Sequence, residues 1–206
     1  IVVGFVFILT LAVLIMSSYT GSKSILSKVI SNEFRTYTND VSEKIDTWLE
    51  GRLHEIETVS AFAARDHQNN ERLISSLNAI ALGGKYDLVY FGSETGEMIT
   101  SFDVSLPSGF DPRTRPWYKE AAASSKVVIT EPYVDAITGG LVVSFAKAVK
   151  SNGRLLGVVA SDISISSLST SLLNKKFSGS GYAFMTDTKG LILIHKDQDK
   201  IMKSNI

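Results

Sequence analysis

The chain of 206 residues contains no cysteine, only four prolines and three histidines, and its 21 basic and 21 acidic residues cancel. Without cysteine there are no disulfides, no thiolate metal ligands and no cysteine nucleophile. Zero net charge leaves no global field to attract a polyanion, and no Lys/Arg cluster of the length a nucleic-acid groove needs is present, so nucleic acid is not an expected partner. His54, His67 and His195 are scattered. His54 falls in a helical stretch, where a solvated face is expected. His195-Lys-Asp-Gln-Asp199 reads as an exposed polar loop after a strand rather than a cation site. There is no Walker or Rossmann glycine pattern and no G-x-S-x-G elbow, and Ser178-Gly-Ser-Gly181 reads as a turn. The chain is not expected to be an enzyme, and neither a metal nor another cofactor is expected. At 44% hydrophobic and 20% charged it has a globular composition, long enough for one domain or two small ones.

What is present begins with an uncharged run from Ile1 to Met16, broken only by Gly4 and Thr10. It is a little short of the roughly 20 residues a bilayer needs. It has neither the basic leader nor the A-x-A-like cleavage site of a secretory signal peptide, the rival reading. The expectation is a transmembrane helix over residues 1–18, truncated at its N-terminus. From Ser22 to Ala64 apolar residues recur every three or four positions: Leu26, Ile30, Phe34, Tyr37, Val41, Ile45, Trp48, Leu49, Leu53, Ile56 and Val59. The stretch has no proline, and Gly51 is its one weak point. A spine helix over residues 19–66 is predicted, its stripe buried against its own domain at one end and available to a second copy at the other.

The periodicity then turns strand-like. Asp87 to Phe91 and Glu97 to Ser101 read as a hairpin around Gly92-Ser-Glu-Thr-Gly96, with glycines where the loop needs unusual φ. A short helix is predicted over Tyr118–Ser124 and a short strand over Val127–Thr130. Longer strands are predicted over Leu141–Val149 and Leu155–Ile163, joined at Ser151-Asn-Gly153, and a helix over Ser164–Leu173. The stretch from Tyr90 to Asp103 also aligns without gaps on the stretch from Phe184 to Asp197. Aromatic, polar turn, glycine, apolar strand and aspartate recur in order, which predicts two tandem copies of one α+β module, the second cut off at Ile206.

Between these elements lie Phe110-Asp-Pro-Arg-Thr-Arg-Pro-Trp-Tyr118, Glu131-Pro-Tyr-Val-Asp135 and Ser161-Asp-Ile163. They bring a conformationally restricted guanidinium, large aromatics and carboxylates to neighbouring strands and loops. A site with a cation at one end and anions at the other is what a small zwitterion needs. The structural alternative is that Arg113 and Arg115 pair with Asp111, Glu131 or Asp135, with Trp117 and Tyr118 as core.

The spine helix, the two modules, and the segments Asp111 to Tyr118, Glu131 to Asp135 and Gly157 to Ile163 resemble the double-Cache sensor domains of bacterial chemoreceptors. The resemblance implies an α+β fold: a long N-terminal helix followed by two tandem PAS-like modules, each a mainly antiparallel sheet with flanking helices, the second truncated. It implies a membrane-distal, ligand-binding module over 67–168, the start of a membrane-proximal module over 169–206, a homodimer, and a sensor facing the periplasm from the inner membrane. The chain is similar in particular to a subset that senses amino acids. That likeness assigns Arg115 and Trp117 to the ligand carboxylate, and Tyr133, Asp135 and Asp162 to its ammonium. It departs at Phe110, where the subset has a tyrosine, so the ring can wall the site but one hydroxyl donor is lost. Arg113 and Tyr118 are assigned to structure.

The chemistry of these residue types agrees. An arginine fork meets a carboxylate through two parallel hydrogen bonds. Pro116 restricts Arg115 to extended geometry. Trp117 offers one N–H beside an apolar face. Asp135 and Asp162 can accept two of an ammonium's protons, with the face or carbonyl of Tyr133 taking the third. The alternatives are a sensor of an amine or organic acid feeding a histidine kinase or cyclase, and a ligand-free module that works by dimerising.

Overall fold

The computed structural model describes residues 2–173, 182, 184–187, 189–195 and 197–203. Helix α1 runs unbroken over Val2–Asp66, so no break separates the run at the front from the spine. Among the described residues no helix is long and apolar enough to cross a membrane; the run from Ile1 to Met16 lies partly outside the described residues. The chain divides into two compact units, Ile1–Thr47 and Trp48–Ile206. In the first unit the predicted stripe residues Leu26 and Ile30 are exposed, at 61% and 43%. In the second, the same stripe is core. Trp48, Leu49 and Leu53 pack against it, and Ile56, Val59 and Ala63 are fully buried.

Helix α2, Asn70–Gly84, is an element the sequence reading left without assignment. Asn69 caps it, its side chain accepting the Arg72 N–H at 3.1 Å, and Leu73, Leu77 and Ala81 form a buried i, i+4 face. Lys85 closes the helix in the left-handed region, at φ 53° and ψ 44°. A side chain there is strained where glycine is not. Lys85→Gly is expected to raise stability by about 0.5–1 kcal/mol, read as a higher urea midpoint at unchanged slope.

The remaining strands are β1 (Leu88–Ser93), β2 (Met98–Thr100), β3 (Val128–Ile129), β4 (Tyr133–Val134), β5 (Leu141–Ser151) and β6 (Arg154–Ser164). All pair antiparallel in the order β2-β1-β6-β5-β3, with β4 also on β5. The β5–β6 hairpin turns at Asn152 and Gly153, with φ 51° and 79°, the pair of positive angles that an Asn-Gly turn supplies. Alternation sorts the side chains onto two faces. Val89, Phe91, Phe145, Val149, Val159 and Ile163 face the apolar side of α1 and α2. Leu88, Tyr90, Ala146, Val158 and Ala160 face the other way, where helix α3 (Pro116–Ala122) covers them with Trp117, Tyr118 and Ala121. That helix starts at Pro116 and ends at Ala122, two residues earlier at each end than the sequence suggested. Helix α4 (Ile165–Leu173) follows β6 directly.

Strands β7 (Met185–Thr186) and β8 (Ile192–Ile194) form a separate two-stranded ladder. Its turn shares hydrogen bonds and a positive-φ glycine with that of β1–β2. Ser93 N–H donates to Glu97 O and Asp187 N–H to Leu191 O, at 2.8 and 2.9 Å; Gly96 and Gly190 both have positive φ, 97° and 84°. The Glu97 N–H is accepted by Ser93 Oγ and the Leu191 N–H by Asp187 Oδ1. The predicted turn at residues 178–181 lies outside the described residues.

Gly92 departs from expectation. It is strand rather than loop and its φ is not positive. A Cβ there would stand 2.8 Å from both Pro112 and Trp117, so the glycine is required by close approach of the Asp111–Tyr118 segment and not by backbone angle.

Candidate functional site

The segment entering α3 is fixed by its own polar atoms. Asp111 Oδ1 accepts the Arg113 N–H at 2.9 Å and caps a 3-10 turn over Pro112–Thr114. The Arg113 guanidinium grips the same carboxylate at 2.8 Å, reaches Glu94 O, and lies over Gly96. Its hydrogen bonds hold the Asp111 carboxyl below the usual carboxylate range. Arg113 is therefore a clasp between this turn and the β1–β2 turn. Tyr118, whose hydroxyl donates to Ser93 O at 3.3 Å, ties α3 to the same place.

Arg115 is different. It adopts φ −79° and ψ 151°, the extended geometry that Pro116 imposes, so its side chain leaves the helix entrance in a set direction. It makes no ion pair with a described residue. Its Nη2 donates to Val134 O at 2.9 Å, and its guanidinium carbon stands 5.6 Å from the centre of the Tyr133 ring. One face of Tyr133 thus receives arginine, where the sequence reading assigned it to an ammonium. Trp117 is 2% exposed, edge-on to Tyr90 at 4.8 Å. Its indole N–H has no acceptor among the described residues.

Asp162 is the most perturbed acid. It sits on β6 in register with Ser144 of β5 and Leu88 of β1, on the face that α3 covers, 4% exposed. Tyr90 Oη and Ser144 Oγ both donate to Oδ1, at 2.7 and 2.5 Å. Burial raises its carboxyl to about 7; the two hydrogen bonds pull the other way, and the charges of Asp135 and Asp87 add to the rise. Tyr133 hydroxyl lies 2.7 Å from Ser144 Oγ, and Ser144 N–H donates to Thr130 Oγ1 at 3.0 Å. The phenols of Tyr90 and Tyr133 are both pushed above their ordinary value by burial, so both keep their protons.

These contacts form a chain from Arg115 through Tyr133, Ser144, Asp162 and Tyr90 to Trp117. Four of the six residues singled out from sequence are in it. Asp135 stands beside it, half-buried in the β4–β5 turn, its Oδ2 accepting from both the Thr138 N–H and hydroxyl at 2.7 Å. Phe110 is half-buried ahead of Asp111, its N–H donating to Pro107 O. No ring contact joins it to Trp117 or Tyr133 among the described residues. Arg115, Asp135 and Asp162 do not pair directly, so the structural alternative of a closed salt-bridge network holds for Arg113 and Asp111 only.

Ser144, Tyr90 and Thr130 were not anticipated. Their signal is a buried polar atom on or beside the sheet, readable only once the register is known. His54 is exposed, as expected. His195 is not: it is 3% exposed against the rings of Tyr182 and Phe184, its Nδ1 accepting the Asp197 N–H at 2.8 Å. Those two aromatics cover a residue that its charged neighbours had marked as loop.

Known proteins are similar to this chain over most of its length. The methyl-accepting chemotaxis protein PscA of Pseudomonas syringae pv. tomato is 33% identical over 191 residues, covering 93% of this chain, while the chain spans only 30% of that relative's length. The ligand-binding domain of the Pseudomonas fluorescens chemoreceptor CtaA, solved with L-alanine, superposes with a TM-score of 0.74 at 38% identity, over 84% of this chain and 75% of that one. The ligand-binding domain of the Pseudomonas aeruginosa chemoreceptor PctC, solved with GABA, gives 0.71 at 34% identity, over 80% and 75%. The family model described as Cache domain matches residues 22–206, and the chain belongs to that family.

Proposed function

We propose that the chain is the ligand-sensing part of a chemoreceptor and that it binds a small zwitterion, an L-amino acid or close analogue, without catalysing a reaction. Arg115 and the Trp117 N–H take the carboxylate, Asp162 and Asp135 take the ammonium, Tyr133 separates the two ends, and Phe110 walls the site. One observation carries this reading. A guanidinium and a buried carboxyl stand on one chain of contacts, each without an oppositely charged partner among the described residues. Buried charges are ordinarily paired, and a ligand carrying both charges completes both. The solved complexes of related domains with L-alanine and GABA support it.

In this reading residues 67–168 are the membrane-distal module and 169–206 open a second one, an assignment supported by the shared turn geometry of β1–β2 and β7–β8. Residues 1–18 anchor the chain in the inner membrane with the sensor in the periplasm. The exposed apolar positions of 19–47 meet a second copy. Ligand binding shifts the receptor between two states by no more than the ligand's difference in affinity for them.

The test is a thermal-shift panel of L-alanine, L-glutamine, L-arginine, GABA, simple amines and organic acids on the 206-residue chain. A ligand at a hundred times its dissociation constant adds about 2.7 kcal/mol, or about 5–10 °C for a chain of this size. L-Amino acids are expected to do this while amines and acids alone do not. Arg115→Ala is expected to weaken the response roughly 30-fold to several thousand-fold. A panel without any shift removes the sensor reading and leaves a dimerising interaction module in its place.

A further inference from the structure

The two oxygens of Asp162 are not equivalent. Oδ1 accepts both the Tyr90 and the Ser144 hydroxyl, while Oδ2 accepts nothing from a described residue. Ser144 has one proton and spends it on Asp162, so the 2.7 Å contact with Tyr133 is a donation from Tyr133 to Ser144. The Tyr133 hydroxyl is thereby committed inward. With two donors on Oδ1, a protonated Asp162 carries its proton on Oδ2, the atom that no described residue engages.

Resting on the amino-acid reading above, we propose that Tyr90 and Ser144 are the positioning residues of cation recognition, aiming Oδ2 so that each ammonium bound there displaces one proton. The exchange balances: the protonated carboxyl and the ligand's –NH3⁺ give a carboxylate–ammonium pair, and the released proton goes to the buffer. Burial and the charged groups around Asp162 favour a proton being present before binding, against the two hydroxyl donors on Oδ1. Asp87 at the start of β1 and Asp135 in the β4–β5 turn add negative charge. Tyr90 and Tyr133 remain neutral. Arg115 faces the Tyr133 ring and Val134 O, not Asp162.

The experiment is calorimetry of L-alanine binding to the 206-residue chain from pH 5.5 to 8.5, each point in two buffers of different ionisation enthalpy. The expected result is close to one proton released per ligand at pH 6, falling toward none at pH 8.5, with affinity dropping toward tenfold per pH unit on the acid side of neutrality. Ser144→Ala and Tyr90→Phe each remove a donor to Oδ1, so the midpoint of this dependence moves to higher pH. A merely structural role would weaken binding equally at every pH. Two variants guard against one failing to fold, and a ¹³C-carboxyl NMR titration of Asp162 in the ligand-free chain provides a reading that needs no ligand. Affinity that is flat with pH and without proton release, or an Asp162 midpoint near 4, overturns the proton exchange while leaving amino-acid binding intact. Failure of L-alanine to bind at any pH overturns the amino-acid reading and this inference with it.

Discussion

The Asp162→Asn chain is expected to be more stable than the parent at pH 8 and to have lost its response to L-amino acids. Asparagine has the same shape. Its carbonyl can take the Oδ1 position and accept from Tyr90 and Ser144, with its amide at Oδ2. What it removes is the buried charge. The unfolded chain releases the Asp162 proton near pH 3.9, as an ordinary aspartate does. The native chain holds it to about 7. Between these values the native state binds the extra proton, so native stability falls as pH rises through the window. It is whole below about pH 4 and lost above about pH 7. At about 1.4 kcal/mol per unit, roughly three units amount to at most about 4 kcal/mol. The variant has no such dependence. Urea unfolding at pH 4.5 and 8 should therefore find a small difference at the lower value and a gain of a few kcal/mol at the higher. Binding moves the other way. With the buried one of its two carboxylates gone, the ligand's ammonium is left under-paired in a dry site, a loss of about 2–5 kcal/mol, or roughly 30-fold to several thousand-fold in affinity. A gain of equal size at both pH values, or a loss at pH 8, would show that Asp162 is not held protonated by burial.

This opposition explains why the site was only half legible in the sequence. Asp162 sits in a strand, Leu155–Ile163, in which Ser161 is the only other polar side chain, and a lone acid there points to a role other than packing. The residues that manage it are distant: Tyr90 lies 72 positions earlier and Ser144 lies 18 earlier. Their meeting depends on the register of β1 and β5 against β6, which local pattern does not specify. The β5–β6 hairpin was legible because Asn152-Gly153 and alternation act locally. The Arg115 geometry was legible because Pro116 acts on its immediate neighbour. Helix α2 is hard to read because Ile74 and Leu82, apolar but exposed, blur the period of its buried face, Leu73, Leu77 and Ala81, and only docking against α1 and the sheet selects that face. Gly92 was misread for a related reason. Its glycine was ascribed to the turn, while the demand comes from Pro112 and Trp117, twenty and more residues away.

Gly157→Ala, on the same logic, is expected to be the most damaging single methyl in the fold. Gly157 lies in β6 opposite Ser93 of β1 and Val149 of β5, in the middle of the sheet. Its backbone is ordinary strand, so the demand is for space alone. A Cβ would stand 2.3 Å from the Gly92 carbonyl oxygen and 2.6 and 2.8 Å from the Phe91 ring. Neither neighbour can give way cheaply. Phe91 is 2% exposed in the core beneath α1 and α2, and the carbonyl belongs to the backbone of the adjacent strand. Moving Gly92 also disturbs the other face, where it makes room for Pro112 and Trp117 and so seats the segment that carries Arg115. Overpacking of well-packed cores costs about 1–3 kcal/mol, and a clash with backbone between central strands belongs at or beyond the upper end. The expected result is a loss of about 3 kcal/mol or more by urea unfolding, together with a smaller thermal shift from any ligand the parent binds. A variant within about 1 kcal/mol of the parent would mean that β1 and β6 can separate locally at no great expense. The Gly92–Gly157 contact would then not be what holds Trp117 over the sheet.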